Sequence, residues 1–192
     1  MGRLITAVLI TFSAFLLVHA QSSDSSDGPN QPAGDSSIQT AEPAMTLERI
    51  EDVLLALDPN AQTNGSRFLL TVEDIQVFVI TDVDNDRMRV MTPIRPREGI
   101  SSAEMTRMMQ ANFDSALDAR YAIAQDTLWS VFIHPFSPLE KNQLITAIGQ
   151  VINLVTSYGT VYSGGALNFG GGDSEGINRQ LIDRLLDKGK EV

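Results

Sequence analysis

The sequence holds no cysteine, one tryptophan, three tyrosines and two histidines in 192 residues. Each scarcity removes a class of chemistry. Without cysteine there is no disulfide, no thiolate metal site and no lipid carried on a cysteine. With so few tryptophans and tyrosines, the stacked aromatic platforms typical of sugar sites are hard to build. Positive charge is also scarce: 14 Lys and Arg stand against 24 Asp and Glu, a net charge of −10. That balance disfavours general binding to nucleic acid or to an anionic membrane.

What is present first is a leader. In MGRLITAVLITFSAFLLVHA, residues 1–20, Arg3 precedes an apolar run from Leu4 to Val18, and Val18-His19-Ala20 has the form of a cleavage site. The expectation is a secretory signal cleaved near Ala20 and a product exported to the periplasm or beyond. An uncleaved anchor is the competing reading, but the run is short for a span. Membrane contact is expected only through this segment before cleavage. Cleavage removes Arg3 and His19, so the net charge becomes −11 and His134 is the only histidine left. Residues 21–44, QSSDSSDGPNQPAGDSSIQTAEPA, carry one large apolar residue, Ile38, and are expected to be a disordered tether.

The folded domain is expected over residues 45–160. Leu47, Ile50, Val53, Leu54 and Leu57 recur at helical spacing, and Asp58-Pro59 ends the run. QTNGS reads as a loop. RFLLTV and IQVFVIT read as a hairpin turning at Glu73-Asp74, and DVDND leads to RMRVMTPI, a half-solvated antiparallel strand. Ser101 to Glu104 has capping-box form ahead of a helix whose Met105, Met108, Met109 and Phe113 make one face, expected to be core. ARYAIAQ and LWSVFIHPF form a second hairpin across Asp126-Thr127. Ser137-Pro138-Leu139-Glu140 reads as another capping box with proline at the first helical position. The helix behind it carries Leu144, Ile145, Ile148, Val151, Ile152 and Val155, and Gly159 ends it. The order α-β-β-β-α-β-β-α, with strands joined by tight turns, predicts an α+β fold on an antiparallel sheet. Residues 161–173 read as a glycine-rich linker and 174–190 as a separate amphipathic helix striped by Ile177, Leu181, Ile182 and Leu185.

Candidate sites are few. His134 ends a strand before Pro135, with no G-x-S-x-G elbow anywhere, and is expected to fix a corner rather than act as a base. Asp82, Asp84 and Asp86 imitate the start of a calcium loop, but Arg87 occupies the glycine position and Pro93 the closing glutamate, so a turn is expected. The glycines of 164–172 lack the Lys and Ser/Thr of a phosphate loop. No metal or other cofactor is therefore expected, and no catalytic residue. Arg87, Arg89, Arg95 and Arg97 are the one cluster of positive charge. They form a solvated strand edge or, functionally, a docking rim for an acidic partner.

Residues 46–159 resemble the YbjN family, once labelled sensory-transduction regulators, with a type III secretion chaperone-like fold. The resemblance is carried by FLLTVEDIQVFVIT, SSAEMTRMMQANFDSALDARYAI and, above all, LWSVFIHPFSPLEKNQLITAIGQVINLV. It implies a compact protein-binding domain, often a homodimer, with no enzymatic residues to carry over. The leader and the two tails depart from it. The expected function is an exported, non-catalytic interaction module with a protein partner. The alternatives are a lipid or small-molecule binder with a pocket under the methionine helix, and a small hydrolase using His134 or the pair Asp114 and Asp118.

Overall fold

The structure is a computed structural model that describes residues 42–114, 116–159 and 175–191. The expected leader, most of the tether and the glycine-rich linker lie outside the described residues. The chain divides between Thr40 and Ala41, and the described residues belong to the second unit.

Helix α1 (Leu47–Leu57) starts where the Thr46 hydroxyl accepts from the Arg49 amide at 3.2 Å. Its stripe Ile50, Val53, Leu54 and Leu57 is buried. Asp58 ends it and accepts from the Asn60 and Thr71 amides at 2.9 and 2.8 Å, tying the helix end to the sheet. Just ahead of α1, Glu42 accepts from the Arg49 guanidinium at 3.0 Å and the Lys141 amide at 3.1 Å. The last residues of the expected tether are thus fastened to the domain.

The sheet has six antiparallel strands: β1 (Gln62–Thr63), β2 (Arg67–Val72), β3 (Ile75–Asp82), β4 (Arg87–Pro96), β5 (Arg120–Ala124) and β6 (Thr127–Pro135), in the order β1-β2-β3-β4-β6-β5. The fold class is α+β, with the expected element order and one addition. Strand β1 falls in the stretch read as a loop, where Gln62 and Thr63 pair with Leu69 and Phe68. Two residues are too few to carry a period of two, so the sequence gives no sign of them. The β2–β3 turn is Glu73-Asp74, both at positive φ, as a two-residue hairpin requires. The second hairpin turns at Gln125-Asp126 rather than Asp126-Thr127, again with both residues at positive φ.

Strand β4 contains Pro93 and Pro96 although it lies inside the sheet. Its pairing with β3 ends at Met91, and its register with β6 shifts between Pro93 and Arg95. Pro93 therefore sits beyond the β3 ladder, next to a bulge, where proline is tolerated.

Helix α2 (Ser102–Asp114) has the expected capping box. The Ser101 hydroxyl accepts from the Glu104 amide at 3.2 Å, and the Glu104 carboxylate accepts from the Ser101 amide at 2.9 Å. Helix α3 (Lys141–Ser157) begins later than expected. Ser137 and Pro138 form a turn, and the reciprocal cap is made by Glu140, whose amide donates to the Gln143 side chain at 3.0 Å. In α3, Leu144, Ile145, Ile148, Val151 and Ile152 are all 0% exposed against the inner face of the sheet. That face presents Phe68, Leu70, Val77, Val79, Met88, Val90, Leu128 and Phe132.

Helix α4 (Glu175–Lys188) packs back on the domain. Leu181 and Leu185 enter the core, and Gly149 of α3 lies so close to α4 that a Cβ there would stand 2.7 Å from Ile182 Cγ1. Gly189, in the 3-10 turn after α4, faces Ile145 in the same way. Arg184 pairs with Glu73 at 3.1 Å, joining α4 to the β2–β3 turn.

Helix propensity alone would favour a side chain at Gly149 by about 1 kcal/mol. The contact with Ile182 outweighs it. Gly149→Val is expected to destabilise by about 1–3 kcal/mol and to expose α4 to protease. An unchanged melting temperature with α4 still protected would show that the close helix approach does not matter.

Candidate functional site

Register decides which side chains share a face. Across the outer face of the sheet, Arg67, Ile80, Arg89 and Ile133 are successive partners on β2, β3, β4 and β6. The next row is Leu69, Phe78, Met91 and Val131, closed by Arg120 on β5. Among the described residues α1, α3 and α4 all lie on the opposite side, so this mixed apolar and basic surface is uncovered by them. Ile133 is 59% exposed. Between β3 and β4 the surface dips into a depression of about 500 Å³ lined by Ile80, Asp82, Arg87, Arg89 and Ile133.

The four arginines singled out in the sequence are not brought together. Arg87 and Arg89 point outward with Pro135 and Ile133 as partners, while the bulge gives Arg95 the partner Leu128, a residue of the inner face. The Arg95 guanidinium donates to the carbonyls of Pro96 and Glu98 at 3.2 and 3.0 Å. Arg97 lies past the strand, with its amide bonded to the Asp126 carbonyl at 2.8 Å. Arg67 takes their place beside Arg89. The alternation of Arg67, Leu69 and Thr71 was visible in the sequence, as were the two turns that set β2 and β4 on either side of β3. The register that puts Arg67 and Arg89 opposite the same residue, Ile80, was not.

His134 is half-buried at the end of β6. Its Nδ1 donates to the Pro135 carbonyl at 2.8 Å, and its ring stacks on Phe132 at 5.9 Å between centroids. The corner it occupies is held by Asp86, which accepts from the Ser137 amide at 2.6 Å while its carbonyl accepts from the Phe136 amide. That backbone hydrogen bond from Ser137 holds the Asp86 carboxyl below its usual range. Asp82 is likewise used in the turn, accepting from the Asn85 amide and side chain. His134 also lines an open cavity of about 490 Å³ with Asp118, Arg120, Asn142, Gln143, Thr146 and Gln150. Asp118 is occupied there: its carboxylate accepts from Gln150, whose carbonyl accepts from the amides of Asp118 and Ala119. The side chain of Asp114, its suggested partner, lies outside the described residues.

The methionine face departs from expectation. Met108 is buried, but Met105, Met109 and Phe113 are 40%, 56% and 70% exposed. The reason is position. Helix α2 stands at the β5 edge of the sheet, over Tyr121 and Leu128 and not over its centre, so only Met108 and Ala111 among its described residues are buried. Asn112 fixes it there: its side chain donates to the Tyr121 carbonyl at 3.1 Å and accepts from the Tyr121 amide at 2.7 Å. The asparagine amide thus takes the place of a further strand at this edge. Beneath α2 an almost wholly apolar cavity of about 200 Å³ is lined by Met105, Met108, Met109, Tyr121, Ile123 and Leu128. Leu117 and Ile123 are also exposed, and Ile123 lines the same cavity.

No family model matches the chain, and no curated protein does. Among solved structures, the crystal structure of the ExsC–ExsE complex matches with a TM-score of 0.48 and 7% sequence identity, over 61% of this chain and 96% of that one. The YbjN resemblance therefore remains one of sequence pattern, and function has to be read from this chain's own surfaces.

Two outcomes are expected. His134→Gln removes a hydrogen bond to an adjacent carbonyl and a stacked ring, for a loss of about 1 kcal/mol measured by denaturant unfolding; a much larger loss would make the ring a central support. Glu42, Asp58, Asp86 and Glu104 all have lowered pKa values because backbone amides donate to them. Their stabilisation is complete above the ordinary carboxylate range, near pH 4, and is lost as pH falls through the lower folded values. Melting temperature should therefore fall steeply below about pH 4, and Asp86→Asn should flatten that fall. An equally steep fall in the variant would contradict the assignment to Asp86.

Proposed function

We propose that this chain is an exported, non-catalytic protein-interaction module of chaperone-like or regulatory type that pairs with a second copy of itself through α2. The observation that carries the reading is the outward apolar face of α2, with Phe113 70% exposed at its end. An isolated exposed phenylalanine needs no explanation. Met105, Met109 and Phe113 follow one another at four-residue spacing along α2, and Ile123 shares the rim of the cavity under Met105 and Met109. A run of exposed apolar side chains of this kind is how interaction surfaces differ from ordinary ones. Fully burying such a side chain contributes roughly 1.5–3 kcal/mol. A two-fold pairing counts each residue twice, which makes a second copy the economical occupant. The YbjN resemblance, where homodimers are common, agrees with it.

Export rests on the leader read in residues 1–20. The non-catalytic reading is supported by the bonds that hold His134 and Asp118 in the fold. The cavity beneath α2 favours one second reading, a binder of a short acyl or aromatic group. At about 200 Å³ it is below the usual 300–1,000 Å³ of ligand sites, so pairing through α2 is preferred.

Sedimentation of the chain should give a dimer, and Phe113→Asp should give a folded monomer whose melting temperature no longer rises with protein concentration, because residue 113 is exposed in the single chain. A wild-type monomer, or a variant that still dimerises, would contradict pairing through α2.

A further inference from the structure

The outer face of the sheet differs from the α2 patch in composition. Its row Arg67, Ile80, Arg89, Ile133 alternates charge and hydrocarbon across four adjacent strands, beside a row that is apolar up to Arg120. Neither Arg67 nor Arg89 is held in a salt bridge with another described residue. This is unusual on a chain with 24 acidic residues and a net charge of −10, where carboxylates to pair with are abundant.

We propose that this face binds an extended protein segment in which large apolar residues lie between carboxylates. The inference rests on the interaction-module reading and assigns that module its partner chemistry. Two properties of the face select the occupant. First, guanidiniums that no described carboxylate pairs, set beside the exposed Ile133, favour carboxylates next to hydrocarbon and reject lysine-rich segments by like charge. Second, the spacing is set by the sheet. Strands lie about 4.8 Å apart, so Arg67 and Arg89, two strands apart, have backbones roughly 10 Å apart. An extended chain covers that distance in about three residues. Because successive side chains of an extended chain alternate faces, the two acidic residues stand at i and i+4 on the side facing the sheet, and the long glutamate and arginine side chains take up the difference in span. The apolar residue at i+2 then lies against Ile80 between the arginines, and one at i+6 reaches Ile133. The depression of about 500 Å³ between Arg87, Arg89 and those isoleucines has room for one such side chain. Asp82 at its rim opposes a second carboxylate there, which favours meeting the Arg67–Arg89 row over the turn end of the sheet.

The face carries its own reporter. Trp129, the sole tryptophan, lies on the outer face opposite Pro93 and Ala122. Its indole donates to the Ala124 carbonyl at 3.1 Å. The test titrates the full chain with a terminally blocked peptide, Gly-Glu-Ser-Leu-Ser-Glu-Ser-Ile-Gly, by calorimetry and by Trp129 fluorescence. The same peptide with lysine at both glutamate positions is the control. The expected result is saturable heat with a parallel fluorescence change, lost with the lysine peptide and weakened as salt is added. Arg89→Glu should weaken binding about tenfold or more, and Ile133→Ser should weaken it without altering the salt dependence. Both positions are exposed, and a melting curve confirms that each variant folds. Phe113→Asp should bind the peptide normally, so failure of dimerisation and failure of this site are read separately. Absence of saturable binding, equal binding of the lysine peptide, unchanged affinity in Arg89→Glu, or heat without a Trp129 response would each overturn the proposal.

Discussion

The burial of one stripe of α3 against the inner face of the sheet is the contact on which the other packing depends. Leu144, Ile148, Val151 and Ile152 are completely buried where β2, β3, β4 and β6 present a continuous apolar surface, and Ile145 is closed off by the turn after α4. At roughly 1.5–3 kcal/mol for each such side chain, this contact outweighs any surface ion pair. It also places the remaining helices. Helix α1 packs beside α3, α4 lies over Gly149 of α3, and the strand-end corner at His134 aims α3 along the sheet.

A sheet covered on one side leaves two surfaces to account for. One is the outer face, where the period of two puts charge and hydrocarbon in alternate positions. The other is α2, which the chain path sets against the β5 edge. Its apolar residues therefore serve the core only through Met108 and Ala111. Both surfaces follow from topology: the same amphipathic sequence laid across the inner face would have been core.

The pattern of elements was legible because periodicity and caps are local. The Ser101–Glu104 box, the Glu73-Asp74 turn and the α3 stripe can all be read within a few residues of themselves. What failed was non-local. Met105, Met109 and Phe113 have the spacing of a buried face, and sequence cannot say whether another element faces them. Arg87, Arg89, Arg95 and Arg97 are neighbours in the chain, yet one bulged residue after Pro93 sends Arg95 to the other side of the sheet. Arg67 is twenty residues or more from them, and register alone sets it in one row with Arg89. The Ser137–Glu140 signal was displaced for a non-local reason too, since Asp86, far back in the chain, takes the Ser137 amide.

The central claim is that the outer face of α2 is an interface and not a solvated surface. Amide hydrogen exchange across Ser102–Asp114, followed as protein concentration rises, tests it most directly. Self-pairing through α2 predicts that protection of this helix and of β5 grows with concentration while that of α1 and α3 stays constant. Exchange in α2 that is fast and independent of concentration would contradict the account.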